Sequence, residues 1–510
     1  MKPSNELFHL VKSLTKSEKR FFKLSSSIQS GEKNYFKLFD FIDRQSTYDE
    51  KKLKDYFKKE RFINHLPSEK NHLYKLILKS LRQFYGEQTA SSILKQEIKN
   101  IEILYNKALH KEANKFLKRA KKLSQEHEEF YFAIELISWE KVLTEESYES
   151  GDFDVDLNNI IKEETEIINK LRNLAEYHIL YSRINALFRS DGFTKNEEER
   201  RMVNDIENQP LIKGKNTALS KRAASICYYI QGLCAATNRD FELSYTKFNR
   251  VRKILDENPK IKVDLGQRYV LTLFHLMQSY VNESDFDMAQ QMIDQIKGLK
   301  GKKGFNSLHL TLRINNILLT DQMNLYNIQG DFDKSLAVFK SGYNKNEELI
   351  ERSSKEQKIK FYFSAAYTLF AMSEFKNSLQ FLNLILNDNE QQLRQDIYSF
   401  ARILNLLLHF ELKNYDYLEY SSNSAIRHLN KTKRDHQIEK VFIKQIKKIA
   451  RTTSPIETIP IYKETLGQIN ILLENENENV ILDYIDIVSW LKSKISEEQF
   501  LDIVKEDIKT

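Results

Sequence analysis

The stretch Tyr280-Val281-Asn282-Glu283-Ser284-Asp285-Phe286-Asp287-Met288-Ala289 decides the fold. A short polar turn, Glu283-Ser284-Asp285, separates two segments whose apolar residues recur at helical spacing, Leu273-Leu276-Met277-Tyr280 before it and Phe286-Ala289-Ile293-Ile296 after it. The same turn, ending in an aromatic residue, returns at Asn238-Arg239-Asp240-Phe241, Gly330-Asp331-Phe332, Ser373-Glu374-Phe375 and Asn414-Tyr415. From Phe241 onward the aromatics lie 45, 46, 43 and 40 residues apart, and self-similarity at such a period marks stacked helix pairs. Weaker cousins stand upstream at Gly151-Asp152-Phe153 and Asp191-Gly192-Phe193.

Each position of the turn has a physical reason. Asp, Asn or Ser ahead of a helix accepts a hydrogen bond from its unpaired N–H groups. Three residues past the aromatic come Ser244, Ala289, Ser335 and Ser378, small enough to let two helices approach closely. Seven past it come Phe248, Ile293, Phe339 and Leu382, which face the next pair, and Tyr280 and Tyr326 pack from the preceding helix onto the turn.

These residues resemble the tetratricopeptide repeat family. The likeness is clearest in Leu276…Tyr280…Asp285-Phe286…Ala289…Ile293…Ile296 and in Tyr326…Gly330-Asp331-Phe332…Ser335…Phe339. It covers about residues 220–430 and extends weakly back to 93 through Ala113, Leu117 and Ala120. The family repeats about every 34 residues, whereas the period here is longer, and no unit carries the family's tryptophan. The resemblance implies an all-α, right-handed α-solenoid of antiparallel helix hairpins with helical caps at both ends. Charge distribution and the change of signals on either side of the array divide the chain into a basic N-terminal helical domain (1–90), a hairpin array (91–435) and an acidic C-terminal cap (436–510). The resemblance also implies a concave face lined by Tyr229, Phe274, Gln278, Asn324, Asn327, Lys360, Phe363 and Tyr367. Aromatic and amide side chains suit a bound peptide, the first through apolar area and the second through backbone hydrogen bonds. Family members that clamp a peptide's C-terminal carboxylate use Lys and Asn four apart; Tyr229/Leu233, Phe274/Gln278 and Thr320/Asn324 lack the Lys, so that clamp is not expected.

Composition agrees with helices. The 510 residues include only 13 Gly and 6 Pro, too few for sheets joined by tight turns. Thr15-Lys16-Ser17-Glu18 and Thr47-Tyr48-Asp49-Glu50 read as capping boxes in a head of four or five short helices, the last over 68–85. Ser454-Pro455 and Ile459-Pro460 read as breaks, Glu474–Asn479 as an acidic loop, and Ser496…Gln499 as the cap of a last helix. No apolar run approaches the ~18 residues of a membrane span, and the N-terminus has no apolar leader. Cys227 and Cys234, seven apart on one helix, are too distant to pair and read as small buried thiols, which together point to the cytoplasm.

Chemistry-bearing motifs are missing. The 11 His are scattered without metal-ligand spacing, and His428 and His436 read as ordinary histidines. Gly298-Leu299-Lys300-Gly301-Lys302-Lys303-Gly304 lacks the spacing and hydroxyl of a phosphate loop and reads as a flexible connection. No catalytic residue, metal site or cofactor is expected, and the leading expectation is a non-enzymatic scaffold for a protein or peptide partner. The alternative is a nucleic-acid-associated regulator: Lys75, Lys79 and Arg82 form a basic stripe on the 68–85 helix, downstream of Lys51, Lys52, Lys54, Lys58, Lys59 and Arg61. Residues 1–86 carry 19 Lys and Arg against 10 Asp and Glu, and residues 451–510 carry 6 against 12, so self-association of head and tail is a third expectation.

Overall fold

The computed structural model describes residues 5–27, 34–149, 151, 156–434, 436–452 and 455–507. It is all-helical: among these residues there is no strand. None of the described helices is long and apolar enough to cross a membrane. The chain divides into two compact units, Met1–Glu164 and Thr165–Thr510, with the Leu157–Asp191 helix running across the boundary.

The repeated turn has one geometry throughout. Arg239, Ser284, Gly330, Ser373 and Lys413 each sit two residues before the aromatic with φ between 57° and 66°. The next residue's N–H bonds back five residues, Asp240 to the Ala235 carbonyl, Asp285 to Tyr280 and Asp331 to Tyr326, each at 2.9 Å. That is the six-to-one bond of a Schellman ending, which satisfies carbonyls the finished helix would otherwise leave unpaired. The aromatic is then the first residue of the next helix, as in Phe241–Glu257, Phe286–Leu299, Phe332–Glu351, Phe375–Leu386 and Tyr415–Lys431. Asp240, Asp285 and Asp331 cap their helices through Leu243, Met288 and Lys334 N–H; the Glu374 and Asn414 side chains make no such bond. The small residues three on are buried, Ala289, Ser335 and Ser378 at 0 % exposure. Tyr280 stacks edge-on against Tyr245, 5.3 Å between rings.

Two more turns of this kind lie in the first unit, where no glycine or aspartate marks them. Ala108 and Glu128 take the left-handed conformation (φ 58° and 51°), and Leu109 and Glu129 N–H reach Leu104 and Ser124 carbonyls. They join Ala90–Asn106, His110–Glu126 and Phe130–Glu149 around a core of Leu94, Ile101, Leu117 and Leu136. Ahead of these, the Glu6–Ser13, Lys16–Ser27, Asn34–Arg44, Glu50–Tyr56 and Leu66–Phe84 helices close a separate core of Val11, Phe22, Phe39, Leu53, Leu73 and Ile77. Thr15 and Glu18 form the expected capping box, with Thr15 N–H donating to Glu18 at 2.5 Å.

Several local expectations are corrected. Asp49, not Thr47, caps the Glu50–Tyr56 helix. Asp152-Phe153 lies outside the described residues, and Phe193 opens no helix: after Gly192 (φ 82°) a non-helical stretch leads to Asn196, which caps Glu197–Glu207, and Phe193 is buried. Pro460 sits inside the Pro455–Leu473 helix rather than ending it, and Ser454 lies outside the described residues. The acidic segment becomes a 3₁₀ helix, Glu476–Asp483, whose buried Glu478 accepts from the Gln437 and Ile438 N–H groups at 2.9 Å each. Ser496 donates back to the Lys492 carbonyl, away from the last helix, Phe500–Asp507. Gly304, at the end of the glycine-rich connection, packs on Val263, where an added Cβ would meet the backbone at 2.7 Å, whereas Gly298 and Gly301 have open space around them.

The second unit holds two large cores. One gathers Ile226, Ile230, Phe248, Val251, Leu273, Leu276 and Ile293; the other gathers Phe332, Leu382, Phe400, Leu404, Phe442 and Trp490. Burying one such Phe or Leu stabilises by about 1.5–3 kcal/mol. Gly232 faces the Phe248 ring, where a Cβ would stand 2.9 Å from it, which requires glycine for that approach.

Candidate functional site

The first helices of successive pairs in the second unit present their unshared faces to one cavity of about 720 Å³, with a satellite of about 50 Å³ beside it. Gly266–Asn282 contributes His275 and Gln278; Gln322–Ile328 contributes Asn324 and Asn327; Lys355–Ala371 contributes Lys360, Phe363, Ser364 and Tyr367. The opposite wall comes from far along the chain, Leu482, Asp483, Tyr484 and Asp486, so the acidic tail of the unit returns against its array. Arg239 Nη1 donates to Asp483 at 2.5 Å, Tyr367 OH accepts from the Asp486 N–H at 3.1 Å, and the Tyr484 ring lies 4.3 Å from Phe400.

All eight expected groove residues lie on these two cavities. Gln278, Asn324, Asn327, Phe363 and Tyr367 line the large one, Tyr229 and Phe274 the small one, and Lys360 both. Their roles differ. Tyr229, Phe274, Phe363 and Tyr367 are buried to 8 % exposure or less and serve largely as packing. Asn327 is held by Thr368, whose hydroxyl donates to its Oδ1 at 3.1 Å. Asn324 is only partly buried and makes no hydrogen bond among the described residues.

A belt of buried ion pairs supports the cavity, and none of its members is conspicuous in sequence. Arg394 pairs with Asp396 (Nε–Oδ1 2.9 Å) and donates to Tyr484 OH at 2.9 Å, while Tyr484 donates to Asp396 at 2.5 Å. Arg434 pairs with Glu439 at 2.6 Å and Asp191 at 3.4 Å, and Lys195 joins Asp191 at 2.6 Å. Asp191, Asp396 and Glu439 are at most 1 % exposed. Burial works against the Arg434 charge, but Glu439 and Asp191 more than offset it and hold its pKa high. The belt binds the corner after the Leu157–Asp191 helix to segments more than 200 residues away; the Arg394 N–H also donates to the Arg189 carbonyl at 3.0 Å. Glu356 joins it through Arg189 and through Lys360 at 3.4 Å. Burial raises the Glu356 pKa, but those cations, with Lys360 foremost, bring it down to about 2.

Three further residues complete the wall. His275 is buried, stacks on Phe248 at 4.4 Å, and is pushed down to about 3 by burial and then by Lys360 and Arg189, so its imidazole is neutral. Ser364 is 1 % exposed and its Oγ has no hydrogen-bond partner among the described residues. Asp321 ends a π-helical turn, Ile317–Asp321, in the first helix of its pair. One extra residue in a helical turn re-aims the side chains beside it, and such bulges are frequent at functional sites. Asp321 faces both cavities, and burial raises its pKa to about 7 against the pull of Lys360 and Arg394.

Elsewhere, Lys75, Lys79 and Arg82 are exposed on the Leu66–Phe84 helix, opposite buried Leu73 and Ile77, and form no ion pair among the described residues. Cys227 and Cys234 are buried free thiols, their pKa values raised by burial. Comparison with protein-family models and with curated proteins finds no match to this sequence.

Proposed function

We propose that the chain is a tetratricopeptide-like, right-handed α-solenoid that serves as a non-enzymatic scaffold, holding a segment of a protein partner in the cavity of its second unit. The observation that carries this reading is the cavity itself. At about 720 Å³ it has the size of a ligand site, and it is walled by aromatic rings with amide and charged groups between them. Asn324 offers an amide with no internal partner, the group an extended peptide backbone would engage. The two buried free thiols suit a reducing compartment and support a cytoplasmic reading of this scaffold.

The test is selection of a phage-displayed library of random 12-residue peptides on the full chain, followed by binding of enriched peptides to Gln278→Ala and Asn324→Ala variants. The reading expects affinity to fall about tenfold in each, the worth of one hydrogen bond in a closed site. Equal binding to wild type and both variants would remove the cavity as the site. The exposed, unpaired Lys75, Lys79 and Arg82 favour a second reading, contact with nucleic-acid phosphates; it requires duplex binding whose affinity falls steeply with salt and weakens when all three become Gln.

A further inference from the structure

Asp321 is the carboxylate on the cavity wall that the protein leaves without a partner. It is nine-tenths buried (9 % exposed), it faces both cavities, and it enters no hydrogen bond or ion pair among the described residues. The other charges on the same wall are matched. Arg239 holds Asp483 at 2.5 Å, Lys360 holds Glu356 at 3.4 Å, and Arg394 holds Asp396 at 2.9 Å. Asp486 accepts from the Ser489 N–H at 2.8 Å, and Asp507 accepts from Lys492 at 2.7 Å. One more acceptor without a partner among the described residues stands on this wall, the amide of Asn324, one helical turn beyond Asp321.

Leaving a buried carboxylate unpaired costs several kcal/mol unless a ligand or a proton neutralises it. In the large cavity an anionic ligand would find Arg239, Lys360 and Arg394 each already engaged by a carboxylate; Arg313, which has no ion pair among the described residues, lines only the small one. A cationic ligand would find an unengaged carboxylate in a cavity that Phe188, Phe332 and Phe363 also line, and aromatic rings attract cations through their quadrupoles. We propose that the cavity recognises an organic cation, an ammonium or guanidinium group that seats against Asp321, with Asn324 as an additional acceptor. The cation comes either from an Arg or Lys side chain of a bound segment or from a free small molecule. The proposal rests on the scaffold reading for the first source only.

The experiment is isothermal titration calorimetry of the full chain with four probes. They are agmatine, which carries a guanidinium and an ammonium group, its neutral counterpart 4-hydroxybutylurea, and two capped pentapeptides, Gly-Gly-Arg-Gly-Gly and Gly-Gly-Gln-Gly-Gly. The expected result is binding of agmatine or the Arg peptide at least tenfold tighter than that of its neutral counterpart, and a loss of at least tenfold in Asp321→Asn. The wild-type comparison of charged and neutral probes stands even if the variant fails to fold. Binding of the Arg peptide alone assigns the cation to a bound segment; binding of agmatine as well shows that the free cation suffices. Equal binding of charged and neutral probes, no binding of either cation, or binding that survives in a folded Asp321→Asn chain overturns the proposal. The two readings fail separately. Library peptides that need Asn324 but show no preference for Arg or Lys leave the scaffold and remove the cation site. Agmatine binding that needs Asp321, with no library peptide enriched, does the reverse.

Discussion

Replacing Asp321 with Asn should make the second unit more stable, and increasingly so as the pH rises. The folded carboxyl has its pKa raised to about 7, chiefly by burial, from an ordinary 3.8. Between those values the folded state keeps a proton that the unfolded state releases, so stability is lost as pH rises from about 4 to about 7. Three pH units correspond to about 4 kcal/mol above pH 7 and about 2 kcal/mol at pH 5. Asn has the same shape and no charge to desolvate, so the variant should gain close to these amounts. Trp139 and Trp490 are the only tryptophans, one in each unit, and Trp490 is 1 % exposed. In a Trp139→Phe background, Trp490 fluorescence therefore reports urea unfolding of the second unit. The comparison is between proteins at each pH, because His275 and His428, both pushed down to about 3 by burial, add an opposite slope below pH 6.5 to both chains. A stability difference that stays constant between pH 5 and pH 8 would refute the reasoning, since it would mean that Asp321 is already solvated or paired.

Other perturbations test the remaining parts. Arg434→Met leaves Asp191 and Glu439 buried with reduced compensation and should cost about 3–5 kcal/mol, seen as an earlier Trp490 transition. Ala289→Leu forces a large side chain between the paired helices Gly266–Asn282 and Phe286–Leu299 and should cost about 1–3 kcal/mol, whereas Ala289→Ser should be nearly neutral, as its counterparts Ser335 and Ser378 are. Glu478→Ala removes the carboxylate that caps the Gln437–Arg451 helix and should lower the stability of the second unit by about 1–2 kcal/mol; an unchanged urea midpoint would show that water replaces the cap.

The helix pairs were legible because everything that specifies them is local. A turn needs a residue able to adopt positive φ, a capping acceptor and a large apolar residue to start the next helix, all within four positions, and Ser284-Asp285-Phe286 displays them in order. Where the left-handed residue is Ala108 or Glu128 the same turn forms without its usual letters, because the Schellman hydrogen bond and the packing of the flanking helices outweigh a left-handed strain of about 1–2 kcal/mol. Asp191-Gly192-Phe193 has the letters without the turn, since Asp191 and Phe193 are drawn into the buried charge belt around Arg434. The eight groove residues could be placed on first helices from the repeat alone, and they do line the cavities. What separates Asn324, with no internal partner, from Phe274, part of the packing, is who stands opposite, and sequence spacing carries no information about that.

The sequence by itself determined that this chain is helical, where its helix pairs turn, and which faces of the first helices look inward, because those follow from hydrogen bonds and side-chain periods spanning a few residues. Only the tertiary structure decided that the tail returns to wall the cavity, that Asp396, Asp191 and Glu439 are spent on Arg394 and Arg434, and that Asp321 is left without a partner. Among 72 acidic residues nothing local marks these four. Their charges acquire meaning only when folding removes water from around them and fixes which cation, near in sequence as Arg394 is to Asp396 or far as Arg434 is from Asp191, stands opposite each, or that none does.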